Sequence, residues 1–400
     1  MYAYLSILAG AVCAFTAVTW VYFKILKIAL LKGLVDNPDA RKLQKVPVPV
    51  LGGIAVFFGL LVGLMFWGMS YRMLVGPIVP SILPVMLAMG ILLYVGTLDD
   101  IIGLSPTSRL VIEVLVVLGM IYISGKCIDD FNGMWGIERF SWYLAVPLTV
   151  FAGVGIINSI NMIDGVNGLS SGLCITCCAF FGFVFIQVGD VYNAALAFAM
   201  AGALIPFFIH NVFGMKSRMF IGDAGTMVMG GLMTWFLIQM LSTDGVAVDY
   251  KHVNMIAMSL AVLSVPVFDT LRVMSMRMAK GKSPFQPDKT HLHHVFVQVG
   301  VSHFFTAMSE IFIGMLIFGI WILSVLAGLS INGQLLLVIG LSMLLVWGTY
   351  AFLRFHESRQ TDFLHHIQKF SLRTHLGSKE WWKRITAKLD APEDYYSPHH

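Results

Sequence analysis

The sequence predicts an all-α, polytopic integral membrane protein with about eleven transmembrane helices, its N-terminus outside and its C-terminus cytoplasmic. Three observations carry that expectation. Of 400 residues, 58% are hydrophobic and only 12% are charged, where soluble domains carry about one quarter. Apolar runs of the roughly 20 residues needed to cross ~30 Å of hydrocarbon recur along nearly the whole chain. The basic residues are also unevenly shared: of 26 lysines and arginines, only Arg72, Lys126, Arg139 and Lys251 fall in one set of alternate loops. Positive charge near span ends stays on the cytoplasmic side, so the richer set marks the inside.

In chain order the spans fall near residues 3–24, 50–68, 76–97, 108–125, 140–158, 170–188, 191–213, 219–241, 253–275, 305–327 and 331–353. The first lacks an A-x-A-like cleavage site and is too long for a signal h-region, so it reads as a retained helix. Residues 1–353 form a transmembrane domain, and residues 354–400 form a cytoplasmic tail in which Trp381 and Trp382, among basic residues, suit an interfacial helix. The net charge of +4 follows from the basic inner face; it fits anionic headgroups and phosphorylated substrates and requires no nucleic acid. Cys174, Cys177 and Cys178 lie within one apolar span, so they read as small packing residues rather than a disulfide or redox framework. The sequence leaves both a monomer and a homodimer open.

The polar residues that interrupt this pattern all fall on the inner side. Asp99 and Asp100 close the third span, "NSINMIDGVNGLSSG" follows the fifth, "MFIGDAGTMVMG" opens the eighth, and "PFQPDKTHLHHVF" lies in the loop after the ninth. Adjacent carboxylates at a membrane edge repel, and three things relieve them: a divalent metal, a basic partner such as Arg109, or a retained proton. A plain solvated turn also accommodates them. Asn161, Asp164 and Asn167 recur every third residue, while Gly165 and Gly168 argue that the helix loosens there and lets backbone approach a ligand. Asx-rich turns and N-caps are the structural alternative. Asp223, between Gly222 and Gly225, serves either as an N-cap or as a hard oxygen ligand for a metal holding a diphosphate. His291, His293 and His294, flanked by Lys280, Lys282 and Lys289, suit phosphate oxygens better than zinc, because no cysteine accompanies them on this side. Together these groups point to phosphoryl transfer involving a membrane-borne substrate.

These stretches, with "DNPDARKLQKVPVPVLGG" at residues 36–53, resemble in order the five motifs of the polyprenyl-phosphate N-acetylhexosamine-1-phosphate transferase superfamily, of glycosyltransferase family 4 type. The "HLHH" form is similar to the undecaprenyl-phosphate GlcNAc-1-phosphate transferase branch, which starts O-antigen (lipopolysaccharide) or teichoic-acid linkage units. The phospho-MurNAc-pentapeptide transferase branch is the alternative. Gln44 and Val50 depart from the His and Arg usual in relatives.

The resemblance implies a UDP-sugar donor, a polyprenyl phosphate acceptor, UMP release and Mg²⁺, with Mn²⁺ as its substitute, in the bacterial inner membrane with the active site on the cytoplasmic face. It implies Asp223 and Asn161 as metal ligands and Asn167 as a uracil contact. It further implies Asp164 in the nucleotide pocket, His291, His293 and His294 on phosphates or sugar, and Arg41, Lys45 and Lys289 on substrate. Asp99 and Asp100 then stand where the lipid phosphate meets the nucleotide, as catalytic groups. A transporter is the rival from another class; Glu113 and Glu310 are the notable acids inside spans, a poor supply for an ion path.

Overall fold

The computed structural model describes residues 1–37, 46–76, 82–243, 252–284, 289–373 and 379–390. In order they form α1 (Tyr2–Leu31), the short strands β1 (Val35–Asp36) and β2 (Val48–Pro49), α2 (Gly52–Leu74), α3 (Leu83–Ile102) and α4 (Pro106–Ser124). A hairpin of β3 (Asp130–Met134) and β4 (Ile137–Arg139) precedes α5 (Trp142–Met162), α6 (Leu169–Gln187), α7 (Val191–Phe213) and α8 (Gly222–Met240). Then come α9 (Met255–Val262), α10 (Ser264–Ala279), α11 (Leu292–Gln298) and α12 (His303–Leu326). α13 (Ile331–Ser342) and α14 (Gly348–Arg359) are joined through one π-helical turn, and α15 (Asp362–Arg373) and α16 (Glu380–Leu389) lie in the tail.

The chain is an all-α, multi-pass membrane protein. Among the described residues, nine helices are long and apolar enough to cross a membrane, or ten if α9 and α10, bent by 80° at Leu263, make one span. Each expected span overlaps a helical segment, with two corrections. The ninth is broken rather than straight, and the third runs on through Asp99 and Asp100 to Ile102 instead of closing before them. The break agrees with Cys177 of α6, whose Sγ donates to the Val262 carbonyl at 3.3 Å. All five cysteines are free thiols, and this one is a packing residue.

α8 is the exception to the apolar count, for a physical reason. Every residue from Ala224 to Met240 is buried, with α3 and α5 as its main neighbours and α2 beside it. A helix sheathed by protein has no lipid to match and can keep glycine, threonine and glutamine. Its 19 residues still reach about 28 Å. The sheath closes tightly because a Cβ on Gly96 would collide with the backbone of Ala224, and one on Gly230 with that of Ile157. The N-terminus of α2 is pinned to the entry of α8: Gly52 and Gly53 donate N–H bonds to Phe220 and Ile221 carbonyls at 3.0 and 2.8 Å, and Phe220 donates to Pro49 at 2.7 Å. The segment before the second span thus sits against the "GDAG" turn.

Candidate active site

The first N–H groups of a helix have no intrahelical partner and need acceptors. Gly222 supplies the sharp turn into α8 at φ +71°. Ile221, in the capping position, offers no side-chain acceptor. The acceptor comes from another helix: Asp100 Oδ1 takes the Asp223 N–H at 2.8 Å and Oδ2 takes the Ala224 N–H at 3.1 Å. Asp223 is therefore not the N-cap that a lone Asp suggests. Asp100 does that work, and the Asp223 carboxylate, with its side chain 33% exposed, faces the site.

Adjacent helix residues project about 100° apart, which separates the roles of the acidic pair. Asp99 turns toward α4, where Oδ2 pairs with Arg109 Nη1 at 2.9 Å and Oδ1 accepts the Leu104 N–H at 2.7 Å. Of the three sources of relief, a basic partner is in place for Asp99. Arg109 also stands 3.7 Å from Asp223 Oδ1 and 3.4 Å from Glu113 Oε1. Glu113, fully buried on α4, accepts from Asn158 Nδ2 of α5. One guanidinium thus serves three carboxylates, and α3, α4, α5 and α8 meet around it.

α5 ends at Met162, and the "NMIDGVNG" segment leaves the helix as its glycines predict. Asn161, in the last turn, donates its amide to Asp223 Oδ1 and to Thr226 Oγ1 at 2.7 Å. Asp164 lies half-buried in the turn and accepts from Ser170 Oγ. Burial, joined by the nearby charge of Asp223, pushes its carboxyl up to about 6, against the lowering effect of the Ser170 hydroxyl. Asn167 is half-buried in the same turn. Asn211 of α7 holds this turn in place: it accepts the Gly168 N–H at 2.7 Å and donates to the Met219 carbonyl at 2.9 Å, tying the turn to the entry of α8.

The histidine segment joins from the other side. A Cβ on Gly165 would overlap the His293 ring, so only glycine lets the two motifs touch. His291 Nδ1 is 2.8 Å from Asp269 Oδ2 of α10. Asp269 also binds Arg272 at 2.6 Å, and Arg272 donates to the Thr290 carbonyl at 2.6 Å and lies 3.7 Å over the Tyr350 ring. His293 is 1% exposed. Neither of its ring nitrogens has a hydrogen-bond partner among the described residues. Burial and the neighbouring imidazoles hold it well below the usual histidine range, so it stands neutral, with one donor and one acceptor to offer. The His294 ring lies tilted against it, centroids 4.3 Å apart, and Lys289 is half-buried where the segment begins. Arg41, Lys45 and Gln44 lie outside the described residues.

Asp269, Arg272, Asn158, Asn211 and Ser170 escaped the sequence reading. Two of them carry a signal: Asp269 and Arg272 are a charged pair three residues apart inside the ninth span, so Asp269 belongs with Glu113 and Glu310 among the acids within spans. Paired charges in an apolar span mark a functional network.

A divalent cation fits this donor set. Mg²⁺ keeps waters and takes few protein carboxylates beside substrate phosphates, so one hard oxygen facing the site is enough to offer it a place. Asp223 offers a hard oxygen. Asn161 presents its N–H to Asp223 and would act as a ligand only with its amide reversed.

The family model described as glycosyl transferase family 4 matches residues 82–241. The chain is 31% identical to the undecaprenyl-phosphate alpha-N-acetylglucosaminyl 1-phosphate transferase of Yersinia pestis, over 70% of this chain and 73% of that protein. The chain belongs to glycosyl transferase family 4. Further members similar to it are the protein of the same name from Escherichia coli K12, 30% identical over 74% of this chain and 78% of the relative. A probable undecaprenyl-phosphate N-acetylglucosaminyl 1-phosphate transferase of Bacillus subtilis is also 30% identical, over 70% and 74%. The family 4 match spans α3 to α8, hence the acidic pair, Arg109, the "NMIDGVNG" turn and Asp223; the histidine segment lies beyond it.

Proposed function

We propose that the protein transfers N-acetylglucosamine 1-phosphate from UDP-N-acetylglucosamine to undecaprenyl phosphate, releasing UMP, at the cytoplasmic face of a bacterial inner membrane. The product is a polyprenyl diphosphate sugar that initiates an envelope glycan. One observation carries the reading: Asp223 sits where α3, α4 and α5 deliver Asp100, Arg109 and Asn161, while Gly165 brings His293 against the adjoining turn. Names of relatives similar to this chain support the lipid acceptor and the sugar phosphate.

In this reading Asp223 and Asn161 hold the divalent cation, which when bound supplies charge neutralisation to the diphosphate. Arg109, shared among Asp99, Glu113 and Asp223, holds these carboxylates together beside the metal-binding group. Asp99 orients that guanidinium. Asp100 acts through the backbone of Asp223, fixing the helix that presents the metal-binding carboxylate. The neutral His293 ring donates to, or accepts from, a phosphate or sugar oxygen, with His291 held in one orientation by Asp269. Asn167 and Asp164 line the nucleotide side. The acceptor phosphate is already ionised at neutral pH, so positioning carries more of the rate than a general base.

The test is transfer of radiolabelled sugar phosphate from UDP-N-acetylglucosamine to undecaprenyl phosphate by the purified protein, with UMP release followed in parallel and the lipid product weighed by mass spectrometry. Label in the lipid and equimolar UMP are expected, and Asp223→Asn abolishes both. Release of UMP without labelled lipid, or a product mass from another sugar, overturns the assignment.

A further inference from the structure

α16 presents two faces, and one of them is occupied by the protein. Asp390, at its end, accepts backbone N–H bonds from Met215 at 3.2 Å, Lys216 at 3.1 Å and Ser217 at 2.9 Å. Thr386 Oγ1 donates to the Phe213 carbonyl at 2.8 Å. The Trp382 ring packs on Phe213 and Phe304, centroids 4.6 and 5.8 Å away. These contacts fasten the tail to the turn between α7 and α8, the turn that leads into Asp223. The N–H bonds hold the Asp390 carboxyl below its usual range, as expected of a charge spent inward.

Among the described residues the other face has no such partner. Trp381 and Ile385, one helical turn apart, are 48% and 36% exposed. Lys383, Arg384 and Lys388 are exposed beside them, and the exposed acid on this helix, Glu380, pairs with Arg384 at 3.5 Å. Phe213 ends α7 and Phe304 is the second residue of α12, so α16 lies level with the ends of two spanning helices, where headgroups begin. A short helix with tryptophan and isoleucine on one edge and basic residues flanking them is matched in charge and depth to an anionic interface.

We infer that α16 is a lipid-binding helix: its Trp381–Ile385 edge enters an anionic headgroup layer, and its opposite face holds the α7–α8 turn in register. The occupant is the bilayer around the protein, selected by negative charge. This does not depend on the transferase reading, and its test does not measure transfer.

The full-length Ile385→Cys protein is placed in nanodiscs of phosphatidylcholine alone or with about one-third phosphatidylglycerol, and its reaction with a polar maleimide is timed against the unsubstituted chain. Surface attraction of this kind predicts labelling at least about five-fold slower in the anionic discs, with the protection lost in high salt. Combined Lys383→Gln, Arg384→Gln and Lys388→Gln changes, all on exposed side chains, also remove it. Equal rates in the two discs overturn the inference. So does protection that survives neutralisation, or a disulfide-linked dimer of the Ile385→Cys protein, which assigns the face to a second copy.

Discussion

The acidic and imidazole halves of the site are built on opposite plans. Around Asp99, Asp100 and Asp223 the oxygens are engaged by backbone N–H groups, an amide and a single guanidinium, so geometry is fixed by hydrogen bonds already made. Around His293 the reverse holds. The supporting groups, Asp269, Arg272 and His291, satisfy one another, while the ring they surround is buried with no hydrogen-bond partner among the described residues. Buried polar atoms left unpaired are costly. The contrast teaches that one half is a frame held by hydrogen bonds already made, whereas the other keeps a neutral buried ring with a donor and an acceptor still to offer.

The largest effect falls on the frame. Gly222→Ala places a β-carbon against the Asp100 carboxylate and the Val50 carbonyl at a φ of +71°. Strain of about 1–3 kcal/mol together with the displaced cap should lower the melting temperature and abolish transfer. Wild-type melting and activity in this variant would show that α8 is not seated by Asp100. Asp100→Asn sharpens the same point. It replaces an acceptor for two N–H groups with an amide and lowers both kcat and the melting temperature, and Asp99→Asn, which keeps an oxygen for the Leu104 N–H but removes the charge facing Arg109, lowers both as well.

On the imidazole side, Asp269→Asn removes the charge that orients His291 and balances Arg272. A loss of about 10–100-fold in kcat/KM is expected from such supporting groups. An equal loss in the Asp269→Asn and Asp223→Asn proteins would erase the distinction between the two halves.

A pH measurement gives a smaller effect. The Asp164 carboxyl is raised from its ordinary value near 4 to about 6 in the folded protein, so the folded state binds the extra proton between those values. Stability attributable to this group is greatest below about pH 4, declines as pH rises to about 6, and is flat above. Asp164→Asn should remove that slope from a melting-temperature profile. The smallest change is Cys177→Ala, which gives up one buried thiol contact and should leave transfer within about two-fold, at a stability cost near 1 kcal/mol.

The helices were legible in the sequence because lipid imposes one rule, apolar length, on every segment that touches it. The interface motifs were legible because carboxylates are scarce in such a chain, 22 of 400 residues, and those at the span ends stand beside amides, glycines and histidines. What sequence periodicity could not deliver was partnership. Nothing in the spacing of Asp100 points to N–H groups 123 and 124 positions away, and Asn211 reads as one more polar residue at a helix end until its amide is seen bridging Gly168 and Met219. The bend at Leu263 has a local signal in Pro266, which offers no N–H to the Val262 carbonyl four residues earlier, but the Cys177 thiol that meets that carbonyl comes from another helix.

The seclusion of α8 has a consequence for how this protein tolerates its surroundings. Because α8 is wrapped by neighbouring helices, a thicker or thinner host bilayer acts first on the outer ring, whose members can tilt to absorb the mismatch. The carboxylate at its tip is thereby insulated from acyl-chain length. Growth temperature and fatty-acid supply can vary while Asp223 and the groups bonded to it keep their spacing.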